Sequence, residues 1–167
     1  RPVGLARLAI AAHAIALEHE AAERYLELAD MMEAHRNDEV SALFRDMVRF
    51  SRLHHDSIVA RAQGIALPTL RSWQYRWTQP PEAGGEEAFD ATLDAYSALR
   101  YARENEVRAL DYYASVGQQS SDPEVKRLAG EFAVEETEHV EALEDWLART
   151  PRPSATFDAD PERPGSR

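Results

Sequence analysis

Glu136 and His139 stand three residues apart in the run Glu135-Glu136-Thr137-Glu138-His139. On an α-helix that spacing places a carboxylate and an imidazole on one face, about 4.5 Å apart along the axis. The stripe through them is otherwise apolar: Leu128, Ala129, Phe132, Leu143, Trp146 and Leu147. An ionisable pair directed into an apolar core is costly unless something compensates it, and a metal ion is the usual partner. Glu-x-x-His also arises by chance on exposed acidic helices. The chemistry therefore requires matching groups on other helices at the same level.

Such groups stand in the preceding periodic segments. Leu5 to about His35 reads as one long helix, with Leu8, Ala11, Ile15, Ala22, Tyr25, Ala29 and Met32 at helical spacing and Glu18 within that stripe. His13 lies off the line and reads as a surface or supporting residue, not a ligand. After the polar turn Arg36-Asn37-Asp38, where Asn37 or Asp38 can cap, a second helix runs to Gln63 and stops at Gly64. Its inner stripe is Val40, Phe44, Met47, Ser51, His54 and Ile58, and His55 points roughly 100° away from it. Ser51 holds the place that a second Glu-x-x-His would give to glutamate.

Residues 65–85 are rich in Pro and Gly and carry Trp73, Tyr75 and Trp77, as expected of a long crossover whose aromatics pack down on the core. The third helix is expected over 86–116, with Leu93, Tyr96, Leu99, Glu106, Ala109, Leu110 and Tyr113 in its stripe. Glu18…Tyr25 and Glu106…Tyr113 share one spacing and suggest an internal repeat. Glu104, about 200° from Glu106, is better used on the surface with Arg100 or Arg108. Asp122-Pro123-Glu124 opens the fourth helix, which Pro151 ends beyond Arg149. Residues 1–150 thus read as an all-α domain, and 151–167 as a flexible proline-rich tail.

Two helix pairs with short turns and a long crossover between helices 2 and 3 describe a ferritin-like four-helix bundle. Measured from the turns near Asn37 and Ser120, Glu18, His54, Glu106, Glu136 and His139 fall within a turn or so of one level. Composition narrows the chemistry. A net charge of -11 argues against a nucleic-acid partner, and the absence of cysteine excludes thiolate catalysis and Cys-ligated metals. No apolar run reaches the ~18 residues of a membrane span. The chain opens at Arg1 without Met, as a fragment or processed form would, and shows no signal peptide. A cytoplasmic homo-oligomer, such as a dimer, is expected.

Over residues 5–149 these features resemble the rubrerythrin branch of the ferritin-like superfamily. That family places a glutamate on the first helix, Glu-x-x-His on the second, a glutamate on the third and Glu-x-x-His on the fourth, around two irons. The resemblance implies metal ligands at Glu18, His54, Glu106, Glu136 and His139, with Ser51 where a bridging glutamate should stand. Ala109 occupies the place of a further labile glutamate, and the cysteine-ligated rubredoxin module of many members is absent. Tyr25 and Tyr113 fit a place behind the ligands, bonding carboxylates of neighbouring helices, with ordinary core packing as the other reading of both.

The implied cofactor is iron, one or two ions, with manganese or zinc as alternatives. The implied activity is oxidation of Fe²⁺ by peroxide or dioxygen, a peroxidase or ferroxidase role in oxidative stress or iron handling with an unknown reductant. Ser51 supports the alternative, a bundle with a degenerate site acting as a structural or interaction module. Within the metal reading, a neutral serine leaves the second ion less compensated. One firmly held metal is then expected, beside a position that is weak, empty, or completed by water or an anion.

Overall fold

A computed structural model describes residues 4–62 and 94–153. It contains four helices, α1 (Leu5–Ala34), α2 (Asp38–Arg61), α3 (Ala95–Gln119) and α4 (Pro123–Arg149), and no strand among the described residues. The expected crossover 65–85 with Trp73, Tyr75 and Trp77, the stretch 86–93 and the tail from 154 onward lie outside the described residues. The helices pair as two hairpins, α1 on α2 and α3 on α4, with α1 also reaching α3 and α4. With 30 residues, α1 is about 45 Å long, so a level set by one turn is kept along its length.

Local chemistry sets the boundaries. Arg36 at φ 57 ends α1 in a left-handed turn, with Asn37 N–H donating to the Met32 carbonyl at 2.8 Å and Arg36 N–H to Glu33 at 2.9 Å. The Asn37 side chain then accepts from Val40 N–H at 3.2 Å and caps α2. Asp122 caps α4 through Glu124 N–H and also receives the Arg7 guanidinium at 2.9 and 3.0 Å, tying the start of α1 to the start of α4.

Two boundaries differ from expectation. α3 begins at Ala95, not Glu86, because Asp94 is extended and its carboxylate accepts from Ser97 N–H at 2.8 Å. A side chain that satisfies the first free amides is a stronger start signal than the spacing of Leu93 and Tyr96. At its other end α3 continues past Val116 to Gln119, carrying Gly117 inside the helix.

The core lies in two parts on either side of a polar layer. One side gathers Tyr25, Leu28, Met32, Phe44, Leu99 and Leu143; the other gathers Ile10, Leu17, Ile58, Tyr113, Val125 and Phe132. Fully burying each such Leu or Phe contributes about 1.5–3 kcal/mol, so apolar burial on both sides holds the helices around the layer. In the first half of α1 the buried line is Ile10, Ala14 and Leu17, whereas the expected Leu8, Ala11 and Ile15 are only half-buried. That half is apolar on several sides, so its sequence admits more than one stripe.

Candidate metal centre

The layer between the two cores brings Glu18 from α1, Ser51 and His54 from α2, Glu106 from α3, and Glu135, Glu136 and His139 from α4 together. Glu18, Ser51, Glu106 and Glu136 are buried, and His54 and His139 are half-buried. The donors form two groups, each with its donor atoms within 4.8 Å of one another: Glu106, Glu136 and His139, and Glu18, His54 and Glu135. His139 Nδ1 lies 3.5 Å from both Glu106 Oε2 and Glu136 Oε2. His54 Nδ1 lies 3.5 Å from both Glu18 Oε1 and Glu135 Oε2. The two imidazoles stack at 5.6 Å and 19°, which joins α2 to α4 and sets the groups side by side.

These separations exceed a good hydrogen bond but match two ligands of one ion. Donors about 2.1 Å from a metal at a tetrahedral angle stand about 3.4 Å apart. Among the described residues, two buried side-chain polar atoms, His54 Nδ1 and Glu136 Oε2, have no hydrogen-bond partner, and both belong to these groups. A buried, unsatisfied carboxylate oxygen costs free energy unless a cation or donor reaches it. The donor set, carboxylate oxygen and imidazole nitrogen without thiolate, suits iron, manganese and zinc.

The electrostatics of the cluster carry the same demand for positive charge. Burial and the neighbouring Glu106 charge push Glu136 well above the usual carboxylate range. Burial works against Glu106 as well, but Glu136 and His139 outweigh it and hold the Glu106 carboxyl below its ordinary value. Burial pulls His139 down, yet the carboxylates of Glu106 and Glu136 prevail and raise it to about 11. Interaction with Glu18 raises His54, and desolvation raises Glu135. The layer therefore retains protons that an arriving cation must displace.

Supporting residues fix this geometry. Tyr25 Oη donates to Glu106 Oε1 across the α1–α3 contact, and its ring stacks on Phe44 at 5.9 Å. Tyr113 packs on Phe132 at 5.1 Å, and burial, reinforced by Glu136 and Glu18, raises its phenol pKa. Ser51 helps to line a cavity of about 30 Å³ with Glu18, Glu106, Ala109, Glu136 and His139, room for a water or a similarly small ligand.

The remaining candidates are placed elsewhere. Glu104 is exposed and pairs with Arg100 at 3.3 Å. His55 turns away beside Asp56 and the His19 ring, and His13 packs on Tyr112. Glu135 is the donor that sequence reasoning missed. Lying one residue, and so about 100°, from Glu136, it falls outside the stripe of its own helix. The available signal stood on the facing helix: His54 lacks a carboxylate three residues before it.

Fold and layer together define a four-helix bundle with carboxylate and histidine groups able to hold a metal ion. The Rubrerythrin family model matches residues 10–147, and the chain belongs to that family, within the ferritin-like superfamily. It is similar to an uncharacterized conserved protein from Magnetospirillum magnetotacticum MS-1, known from a crystal structure. The identity is 59%, covering 87% of this chain and 96% of that one, with a TM-score of 0.74. No curated protein matches the chain at a significant level. None of the described helices is long and apolar enough to cross a membrane.

Proposed function

We propose that the polar layer binds a divalent metal, iron first and manganese or zinc behind it, and that with iron the protein acts as a peroxidase or ferroxidase. The observation that carries this reading is the pair of unpartnered buried atoms, Glu136 Oε2 and His54 Nδ1, each within a group of carboxylate and imidazole donors. Glu18, His54, Glu106, Glu136 and His139 are the proposed ligands. When bound, iron supplies the redox chemistry, two Fe²⁺ giving two electrons that, with two protons, reduce one peroxide to two waters.

The chain's own contribution is positional. Tyr25 holds Glu106 by one carboxylate oxygen and leaves Oε2 facing His139. The apolar halves of the bundle keep bulk water from the buried Glu18, Glu106 and Glu136, which strengthens their electrostatic contacts. The small cavity beside Ser51 admits an oxidant of peroxide or dioxygen size. With no cysteine in the sequence, electrons for repeated turnover come from a donor outside these residues.

Optical spectra of the anaerobically Fe²⁺-loaded chain, before and after one equivalent of peroxide, test the reading. Prompt appearance of near-ultraviolet Fe³⁺ absorption, reversed by a reductant, is expected. A loaded protein whose spectrum peroxide does not change contradicts redox function. Failure to retain any metal favours the second reading, a degenerate site in a structural module, for which Ser51 is the supporting residue.

A further inference from the structure

The hairpin α3–α4 supplies a complete donor group by itself, with His139 Nδ1 3.5 Å from each of its two carboxylates. The internal repeat sets Glu18 against Glu106, His54 against His139, and Ser51 against Glu136. The hairpin α1–α2 is therefore one carboxylate short. Glu135 reaches across from α4 to that place: His54 Nδ1 is 3.5 Å from Glu18 Oε1 and 3.5 Å from Glu135 Oε2, repeating the spacing around His139. The nitrogen between these two carboxylates is buried and has no hydrogen-bond partner. We propose that Glu135 is the third ligand of a second metal position with Glu18 and His54, replacing the carboxylate absent at Ser51. This rests on the metal-binding reading above.

Charge and burial explain the exchange. A divalent ion beside Glu18 alone retains a net positive charge in a poorly solvated layer, whereas Glu18 with Glu135 neutralises it. Ser51 is 1% exposed, while the Glu135 side chain is 38% exposed. Moving the carboxylate from the first place to the second takes a charge out of the interior and lowers the desolvation cost of building the site. It also leaves the space beside Ser51 open. The two positions are then unequal. Side chains of the Glu106 group are 7–13% exposed, whereas His54 and Glu135 are 24% and 38% exposed. The His54 position holds its ion more weakly and exchanges it more readily with solvent.

Titration of the full chain with Co²⁺, read by metal retained per chain and by the visible bands, tests this. The wild-type chain is expected to take a tight ion and then a weaker one. Glu135→Gln should weaken the second by at least about 10- to 100-fold and leave the first unchanged. Because Glu135 is partly exposed, that variant should keep its helical circular dichroism; Glu135→Asp, with a shorter reach, should lie between. Adding Ser51→Glu to Glu135→Gln should restore the second ion. The inference is overturned if Glu135→Gln retains both ions at wild-type affinities, if the wild-type chain takes only one, or if the well-folded double variant fails to regain the second. If the wild-type chain takes no Co²⁺ at all, the metal-binding reading itself fails.

Discussion

Removing one oxygen from Tyr25 isolates the contribution of the residue behind Glu106. The Tyr25 side chain is 2% exposed, its hydroxyl donates to a buried carboxylate, and its ring stacks on Phe44. Tyr25→Phe keeps the ring and the packing, so no cavity accompanies the loss. A hydrogen bond to a charged group contributes about 1.5–3 kcal/mol net, and a carboxylate left short of a donor in the interior costs a similar amount. Urea unfolding of the metal-depleted chain, followed by circular dichroism, should therefore show stability lowered by about 1.5–3 kcal/mol with an unchanged m value. The same loss releases Glu106 to reorient, and metal affinity should fall about 10- to 100-fold. Tyr25→Leu should lose more stability than Tyr25→Phe, since it also unstacks Phe44. A Tyr25→Phe chain within about 0.5 kcal/mol of wild type and within about twofold in affinity would refute the anchoring of Glu106.

Glu106→Ala should abolish tight metal binding, whereas Glu104→Ala, which removes only the surface pair with Arg100, should leave affinity within about twofold; a metal titration of the two variants decides. His139 has a folded pKa of about 11 against about 6.5 unfolded, so its charged form stabilises the metal-depleted chain fully below pH 6.5 and progressively less toward pH 11. Denaturation midpoints of that chain should accordingly fall as pH rises from 7 to 10. Metal affinity should move in the opposite direction over the same range, because binding displaces the proton, and calorimetry in buffers of different ionisation enthalpy should register its release. Arg36, a non-glycine residue at φ 57, closes the α1–α2 turn; Arg36→Gly should raise stability by about 0.5–1 kcal/mol in urea unfolding, and a loss would show that the side chain matters more than the turn.

The sequence exposed the level of the polar layer because each helix carries its mark in an otherwise apolar stripe. Glu18, Glu106, Glu136 and His139 needed only helical spacing and the two short turns to be brought together. Glu135 was hidden because helix-by-helix reading assigns a residue to the face of its own helix. Its place beside His54 depends on how α2 and α4 face each other, which the stacked imidazoles reveal and no local pattern does. The first half of α1 was ambiguous for the opposite reason: with Ile10, Ala11, Ala14 and Ile15 all small or apolar, more than one face could be the buried one. At Asp94 a single capping side chain decided a boundary that periodicity placed earlier.

The carboxylate and histidine groups of the layer are proposed to hold a metal ion. Elemental analysis of the full chain, purified without chelators and then loaded anaerobically with Fe²⁺ and desalted, tests it most directly beside the double variant Glu136→Gln, His139→Gln. At least one iron per wild-type chain is expected, and loss of the tightly held iron from the variant with the helical fold intact. A wild-type chain that emerges without metal, or a variant that retains iron as well as the wild type does, would show that these groups do not hold it.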